Sequence, residues 1–364
     1  MAGPLTAPII SLVSVDSAKI AVLGAGSWGT VLAALLARSR RPGEVWLWAR
    51  DPSLASEMAE TRRNGRYLPE LELPVSLEVT PLLSTTVEGA ELIVLGVPSR
   101  WAREVLRAAS SFTQPTAVVL SLAKGLEPGT LMRMSEVVRE VLPGRRVAAL
   151  TGPNFAAEIA IGLPAATVVA CRDAGLARLL QKLFAFPQLR VYTNHDVVGC
   201  ELAGSLKNVL ALAAGMVDGL GAGDNAKAAL VTRGLAELAR LGVVMGGHPM
   251  TFSGLAGLGD LVLTCTSERS RNRRVGFLLG TGKNLQDILA GMKQVAEGVS
   301  TAAAAVALAA RYGVELPICE QVAAVLDGRA SVSEAVAALL DREPTHELAA
   351  PLEPGADHSG SVWA

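Results

Sequence analysis

The chain has 364 residues, 50% of them hydrophobic, and a formal net charge of −1. That length carries about two domains whose cores need no disulfide or metal to hold them together. The balanced charge excludes a protein devoted to nucleic acid or an anionic membrane surface, because such binding needs a concentrated basic field. Cys171, Cys200, Cys265 and Cys319 are widely spaced, with no C-x-x-C and no nearby histidine pair. They read as reduced thiols of a cytoplasmic protein without a metal site. Residues 1–15 are mildly apolar but lack a basic start and a small-residue cleavage site, so the expectation for 1–17 is a disordered leader and not a signal peptide. No apolar run reaches the roughly 18 residues needed to span a bilayer, and no membrane insertion is expected.

In chain order, the apolar run Ile20-Ala21-Val22-Leu23 reads as a buried strand and leads into Gly24-Ala25-Gly26-Ser27-Trp28-Gly29. An Ala/Leu-rich helical stretch follows. A G-x-G-x-x-G between strand and helix is the signature of a dinucleotide site. Gly24 allows the tight turn, Gly26 lets the backbone approach a pyrophosphate, and Gly29 lets helix and strand pack closely. The helix beginning near Ser27 aims its free N–H groups at the diphosphate. Residues 44–49 predict a second strand and 53–63 a polar helix. Strands at 92–97, 117–122, 147–150, 166–170 and 189–192 then alternate with helices at 99–109, 131–141 and 174–184. Strands that are apolar throughout and alternate with helices predict a mostly parallel sheet covered on both faces, with its ligand at the carboxyl ends of the strands.

Beyond about residue 196 the strand pattern stops. Helices are predicted at 197–216, 225–240, 273–279, 285–290, 301–311 and 331–340, so the second domain is all-α. The expected division is a dinucleotide-binding domain over 18–195, an all-α substrate domain over 196–341, and a disordered tail over 342–364, which is rich in Pro, Glu, Gly and Ser.

Four clusters carry polar groups where packing explains them poorly. Lys124-Gly125 stands just past an apolar strand, and Gly152-Pro153-Asn154-Phe155-Ala156 opens from another strand end. Lys207 lies in an otherwise apolar helix beside Gly204, Leu206, Val209 and Leu210, where burial is costly unless the ammonium is paired or has a lowered pKa. Asp260 closes Gly257-Leu258-Gly259, and Ser270-Arg271-Asn272 follows at a helix start, where an arginine fork and backbone donors can hold a phosphate dianion.

Taken together, G-x-G-x-W-G-T at 24–30, A-K-G at 123–125, G-P-x-F-A at 152–156, E-x-x-G-x-x-K-N at 201–208, G-x-G-D at 257–260 and S-R-N at 270–272 make the chain resemble the NAD(P)-dependent glycerol-3-phosphate dehydrogenases of the bacterial biosynthetic type. The resemblance runs from about Lys19 to Leu340. It implies a Rossmann-type doubly wound sheet followed by an all-α domain like the C-terminal domain of 6-phosphogluconate dehydrogenase. The activity it implies is reversible reduction of dihydroxyacetone phosphate to sn-glycerol 3-phosphate for phospholipid synthesis, by a cytoplasmic homodimer that uses NADPH or NADH.

Carried over by residue, Lys207 is the expected proton donor, while Lys124 and Asp260 orient the substrate. Ser270, Arg271 and Asn272 grip its phosphate and glycerol end, with Gly152 in the same pocket. Asn154 stands where the family usually has Ser or Thr. Beside the three glycines, the implied coenzyme contacts are Ser27, Trp28, Arg50, Tyr67, Lys124, Ala156, Arg271, Val295 and Glu297. The chemistry of the residues agrees, because reducing a ketone builds charge on oxygen and calls for a cation that can give up a proton, which lysine does and arginine does not.

Simpler readings stand beside these. Lys207 can snorkel, Arg271 can belong to a solvated basic loop with Arg269, Arg273 and Arg274, Asp260 can cap a helix that starts at Leu261, and His195 reads as structural. For the whole chain, the alternatives are a dinucleotide-sensing scaffold without turnover and a reductase of 2-keto acids on the same plan. At the end of the second strand Arg50 is expected to face the adenosine ribose, and Asp51 to turn toward the next helix start. That arrangement makes NADPH at least as good a coenzyme as NADH.

Overall fold

The computed structural model describes residues 18–41, 43–292, 296–344 and 347. The predicted leader over 1–17, most of the predicted tail and Val295 lie outside them. Among the described residues there are ten strands: β1 (Ile20–Leu23), β2 (Val45–Trp48), β3 (Arg63–Asn64), β4 (Leu68–Glu72), β5 (Leu77–Thr80), β6 (Leu92–Leu95), β7 (Val118–Ser121), β8 (Arg146–Thr151), β9 (Ala165–Ala170) and β10 (Leu189–Asn194). Eight form one sheet in the order β10-β9-β8-β7-β6-β1-β2-β5. The strands from β5 to β8 in that order are parallel, and β9 joins β8 antiparallel.

Seven helices accompany the strands: α1 (Ser27–Ala37), α2 (Pro52–Thr61), α3 (Leu83–Val87), α4 (Ser99–Ala109), α5 (Met134–Val141), α6 (Ala156–Ala160) and α7 (Ala174–Leu183). Ile20 and Val22 of β1 enter the core on one face of the sheet, Ala21 and Leu23 the core on the other. Alternate residues therefore bury on opposite faces, which is why these strands read as continuous apolar runs.

After β10 the described chain is helical: α8 (Val197–Leu220), α9 (Gly223–Val244), α10 (Pro249–Ser253), α11 (Asp260–Thr266), α12 (Arg271–Gly280), α13 (Leu285–Ala290), α14 (Glu297–Tyr312), α15 (Pro317–Leu326) and α16 (Val332–Leu340). Helix α8 is the axis of this part, with α9, α11, α12 and α14 packed around it. It is long and apolar enough to cross a membrane by length and composition, which corrects the sequence expectation, but its most apolar stretch is wholly buried in protein. Its hydropathy is that of a core helix.

Several elements differ from the sequence reading. Helix α2 stops at Thr61, because Arg62 takes a left-handed conformation (φ 54°) and turns the chain into the β3–β4 hairpin. That hairpin and the edge strand β5 are absent from the sequence reading, since Leu-Pro-Glu-Leu-Glu and Leu-Glu-Val-Thr lack the apolar run that marks a central strand. Helix α5 begins at Met134 and not near 131, because Leu131 is left-handed (φ 62°).

Helices α8 and α12 pack backbone against backbone. A Cβ on Gly276 would overlap the carbonyl oxygen of Leu212, one on Gly280 that of Met216, one on Gly215 that of Arg273 and one on Gly219 that of Phe277. Each helix presents a Gly-x-x-x-Gly face to the other's backbone. Alanine normally stabilises a helix by about 1 kcal/mol over glycine. Here Gly276→Ala is expected to have the opposite sign, lowering stability by about 1–3 kcal/mol through forced separation of the helices. Urea denaturation of the variant measures it, and an unchanged or raised midpoint would refute the backbone contact.

Candidate active site

A cleft of about 620 Å³ runs across the carboxyl ends of the central strands to the helices α8, α11 and α12. One end is built on the glycine loop. Gly24 has φ 117°, and a Cβ there would sit 3.0 Å from the backbone of Gly96, so the turn needs glycine both for conformation and for space. A Cβ on Gly29 would overlap the Gly24 carbonyl, whereas one on Gly26 would meet nothing within 4 Å. Gly29 therefore serves helix–strand packing, and Gly26 leaves its backbone open toward the cleft. The loop is held from behind by Asn64, a fully buried residue that donates to the Ala25 carbonyl and to Thr30 Oγ1, both at 2.9 Å. Ser27 Oγ donates to the Tyr67 carbonyl at 3.3 Å, which folds the hairpin loop over the start of α1.

A dinucleotide fits this end. The N–H groups at the start of the 11-residue α1 face an approach path that is free of side chains. The Trp28 Nε1 beside it is a buried donor with no hydrogen-bond partner among the described residues. Farther along, Arg50 lines the cleft, while Asp51 accepts from Ser53 N at 3.0 Å as the cap of α2 and pairs with Arg66 at 2.8 Å.

The other end is a charged centre in an apolar shell. Lys207 is 4% exposed, and its Nζ donates to Asp260 Oδ1 at 2.5 Å and to Thr264 Oγ1 at 2.7 Å. The second carboxylate oxygen of Asp260 accepts from Lys124 Nζ at 2.8 Å. Lys124 also donates to the Gly152 carbonyl and to Asn154 Oδ1, each at 2.8 Å. One buried carboxylate thus holds two ammonium groups. Burial, helped by the like charge of Lys124, lowers the Lys207 pKa to about 8 against the pull of Asp260. Asp260 is the first residue of α11 and spends its carboxylate on the lysines, which corrects the alternative that it caps a helix.

Helix α8 is placed by its own sequence pattern. Glu201, one and a half turns before Lys207, accepts from Arg133, from Ser135 N and from Ser135 Oγ at 2.6–2.9 Å, pinning the helix to the start of α5. A Cβ on Gly204 would lie 2.6 Å from Thr151 Oγ1, so glycine lets α8 rest against the end of β8. Asn208 donates to the Lys124 carbonyl at 2.9 Å.

At the cleft wall beside Lys207, Ser270 caps α12 by accepting from Arg273 N at 3.2 Å. Arg271 stands exposed at the rim. The Asn272 amide is committed at both ends, donating to Asn208 Oδ1 at 2.9 Å and accepting from Gly298 N at 3.0 Å. Its side chain fastens three helices together at the cleft wall. Glu297, at the start of α14, accepts from Ser99 N at 3.4 Å, and burial raises its carboxyl pKa while Arg271 opposes the shift.

The cleft therefore gathers Gly24, Gly26, Ser27, Trp28, Arg50, Tyr67, Lys124, Asn154, Ala156, Lys207, Asp260, Ser270, Arg271, Asn272 and Glu297. Gly29 and Gly152 lie just behind its surface and act through packing and a carbonyl. Exposed His195 is away from it. Sequence reasoning missed Asn64, Arg66, Trp101 and Thr264, isolated polar or aromatic residues whose roles appear only through contacts distant in sequence, and Arg100, which stacks on the adjacent Trp101.

A dinucleotide-binding sheet joined to a helical domain that supplies a buried lysine defines a two-domain dehydrogenase architecture. The family model for the NAD-dependent glycerol-3-phosphate dehydrogenase N-terminus matches residues 19–177, and that for the C-terminus matches 196–337. The chain belongs to this family. It is 50% identical over 331 residues to glycerol-3-phosphate dehydrogenase [NAD(P)+] of Moorella thermoacetica, covering 91% of this chain and 98% of that one. Among solved structures, glycerol-3-phosphate dehydrogenase of Coxiella burnetii superimposes with a TM-score of 0.86 at 40% identity, over 90% of this chain and 100% of that one. The enzyme of Saccharomyces cerevisiae gives 0.76 at 28% identity, over 87% and 98%.

Asp260→Asn leaves two ammonium groups without their shared counter-charge. Breaking a buried pair in this way costs about 3–5 kcal/mol. Without the Asp260 charge the variant's Lys207 titrates below the wild-type value, so the cost should be largest at acidic pH, where both proteins keep the proton, and shrink as pH rises to about 8, because the variant's unfolded chain then holds a lysine proton that its folded chain has released. Urea denaturation on both sides of that pH checks this; a penalty independent of pH would contradict the shared-carboxylate arrangement.

Proposed function

We propose that this chain catalyses the reversible NAD(P)H-dependent reduction of dihydroxyacetone phosphate to sn-glycerol 3-phosphate. The observation that carries the reading is the buried Lys207 ammonium, held by Asp260 and opening into the same cleft as the glycine loop. When bound, the reduced nicotinamide supplies the hydride. Lys207 Nζ then gives its proton to the substrate oxygen as negative charge builds there, leaving a neutral amine that is re-protonated from solvent. A pKa of about 8 suits this work, since the group is charged near neutrality yet parts with its proton more readily than an ordinary lysine.

Asp260 and Thr264 keep the ammonium pointed into the cleft, and Lys124 adds a second positive charge near the developing oxyanion. The substrate phosphate lies at the start of α12, where first-turn N–H groups, the Ser270 hydroxyl and the Arg271 fork converge. Asn272 contributes by holding that turn against α8 and α14. Asn154, in the place of the family's usual hydroxyl residue, orients Lys124. In this reading the enzyme is cytoplasmic and homodimeric and supplies phospholipid synthesis, as the family resemblance suggests.

Ketopantoate reductase of Ralstonia eutropha shares the fold at 18% identity with a TM-score of 0.56, so the substrate class must be tested directly. Lys207→Ala should lose about three orders of magnitude in kcat with dihydroxyacetone phosphate while coenzyme binding survives. Retention of activity within about tenfold would remove Lys207 from the proton-donor role. Arg271→Ala should raise KM for dihydroxyacetone phosphate by about 10- to 100-fold, the size of a charge-assisted contact. Unphosphorylated dihydroxyacetone should be affected far less. Equal losses on both substrates, or a wild-type preference for 2-keto acids, would overturn the assignment.

A further inference from the structure

One charge arrangement in the cleft is used neither by packing nor by the proton-transfer centre. Trp101, on the first turn of α4, is 38% exposed on the cleft wall. Two guanidinium groups rest on its ring, Arg50 Cζ at 5.7 Å from the centroid and Arg100 Cζ at 5.4 Å. Among the described residues neither has a carboxylate partner. Asp51, next to Arg50 in sequence, is already held by Arg66 and by the first turn of α2.

Two like charges that share one ring repel each other. Arg100 also sits in the first turn of an 11-residue helix, where the helix dipole disfavours a cation. Stability does not account for the pair, whereas an anion seated between them does. The aromatic face positions both side chains in advance at a modest cation–π gain, which lowers the cost of ordering them around a ligand.

The place in the fold says which anion. Arg50 follows β2 and Arg100 follows β6, and the sheet order sets these strands on either side of β1, whose carboxyl end carries the glycine loop. A dinucleotide with its pyrophosphate at that loop directs its adenosine half toward the end of β2. A hydroxyl on the ribose leaves the two arginines facing each other, while a phosphate dianion there accepts from both forks.

We propose that Arg100, carried with Arg50 on the Trp101 ring, is the second arm of a clamp for the 2′-phosphate of NADPH. This rests on the dinucleotide-dependent reading above and sharpens it: the phosphorylated coenzyme is the preferred one, and the preference is shared between the β2 and β6 ends of the sheet. Arg100 is exposed, so Arg100→Gln removes the charge with little risk to folding.

The test is calorimetric titration of wild type, Arg50→Gln and Arg100→Gln with adenosine 2′,5′-bisphosphate and with AMP, together with KM for NADPH and NADH. Wild type should bind the bisphosphate at least about tenfold more tightly than AMP. Each variant should lose about tenfold on the bisphosphate and on NADPH, beyond any change on AMP and NADH. Arg100→Lys should recover part of the loss, since it keeps the charge without the fork. Equal losses on both ligands, or a wild type indifferent to the 2′-phosphate, would overturn the clamp. If dihydroxyacetone phosphate is not reduced with either coenzyme the enzymatic reading fails, and the bisphosphate titration still decides the clamp.

Discussion

The site depends on how closely α8 and α12 approach. Lys207 is on one helix and the Ser270–Arg271 turn begins the other, so the distance between the proposed proton donor and the proposed anion-binding turn is set by the crossing of the two. Gly215 and Gly219 on α8 meet Gly276 and Gly280 on α12 backbone to backbone, with no side chain at the contact to yield or repack. Such a contact has little freedom to slide, because moving either helix drives a peptide group into its neighbour. The Asn208–Asn272–Gly298 chain of hydrogen bonds fixes the same crossing at the cleft end and brings α14 with it. The dimension that matters to a three-carbon phosphate substrate is thereby built from backbone rather than from adaptable side chains.

On this scaffold the charges are arranged so that none is buried alone. Asp260 shares its two oxygens between Lys207 and Lys124, and Lys124 completes its three donors on Gly152 and Asn154. The Lys207 ammonium is spared the full cost of desolvation by the carboxylate, yet remains destabilised enough to release its proton. The same network joins the two halves of the chain, since Lys124, Gly152 and Asn154 follow sheet strands while Lys207 and Asp260 belong to the helices. Glu201 adds a second tie through Arg133 and Ser135. Substrate chemistry and domain docking thus draw on one set of contacts.

Much of this was legible in the sequence where local pattern and function coincide. The glycine loop announced itself because turn, close approach and helix packing each require glycine at a fixed spacing, and Lys207 stood out as a cation in an apolar helix. The β3–β4 hairpin and β5 were not legible, because a polar edge strand has no apolar run. The Gly-x-x-x-Gly faces of α8 and α12 are visible in the letters, but glycine in a helix reads locally as a defect, and only the partner helix gives it meaning. Asn64 and Thr264 are single polar residues whose contacts lie with distant segments, and Trp101 takes Arg50 from the end of another strand. The amide bonds of Asn272 to Asn208 and Gly298 join segments far apart in the chain, so its part in fastening the helices has no local signal.

A crystal structure of the ternary complex with dihydroxyacetone phosphate and an oxidised coenzyme examines the central claim, that the α8–α12 crossing sets proton donor and phosphate site one substrate length apart. The account predicts the ketone oxygen within hydrogen-bond reach of Lys207 Nζ, about 2.6–3.2 Å, with the phosphate at the first turn of α12 against Arg271. A substrate bound with its phosphate elsewhere, or with its ketone oxygen on another group while Lys207 stays closed on Asp260, would contradict it.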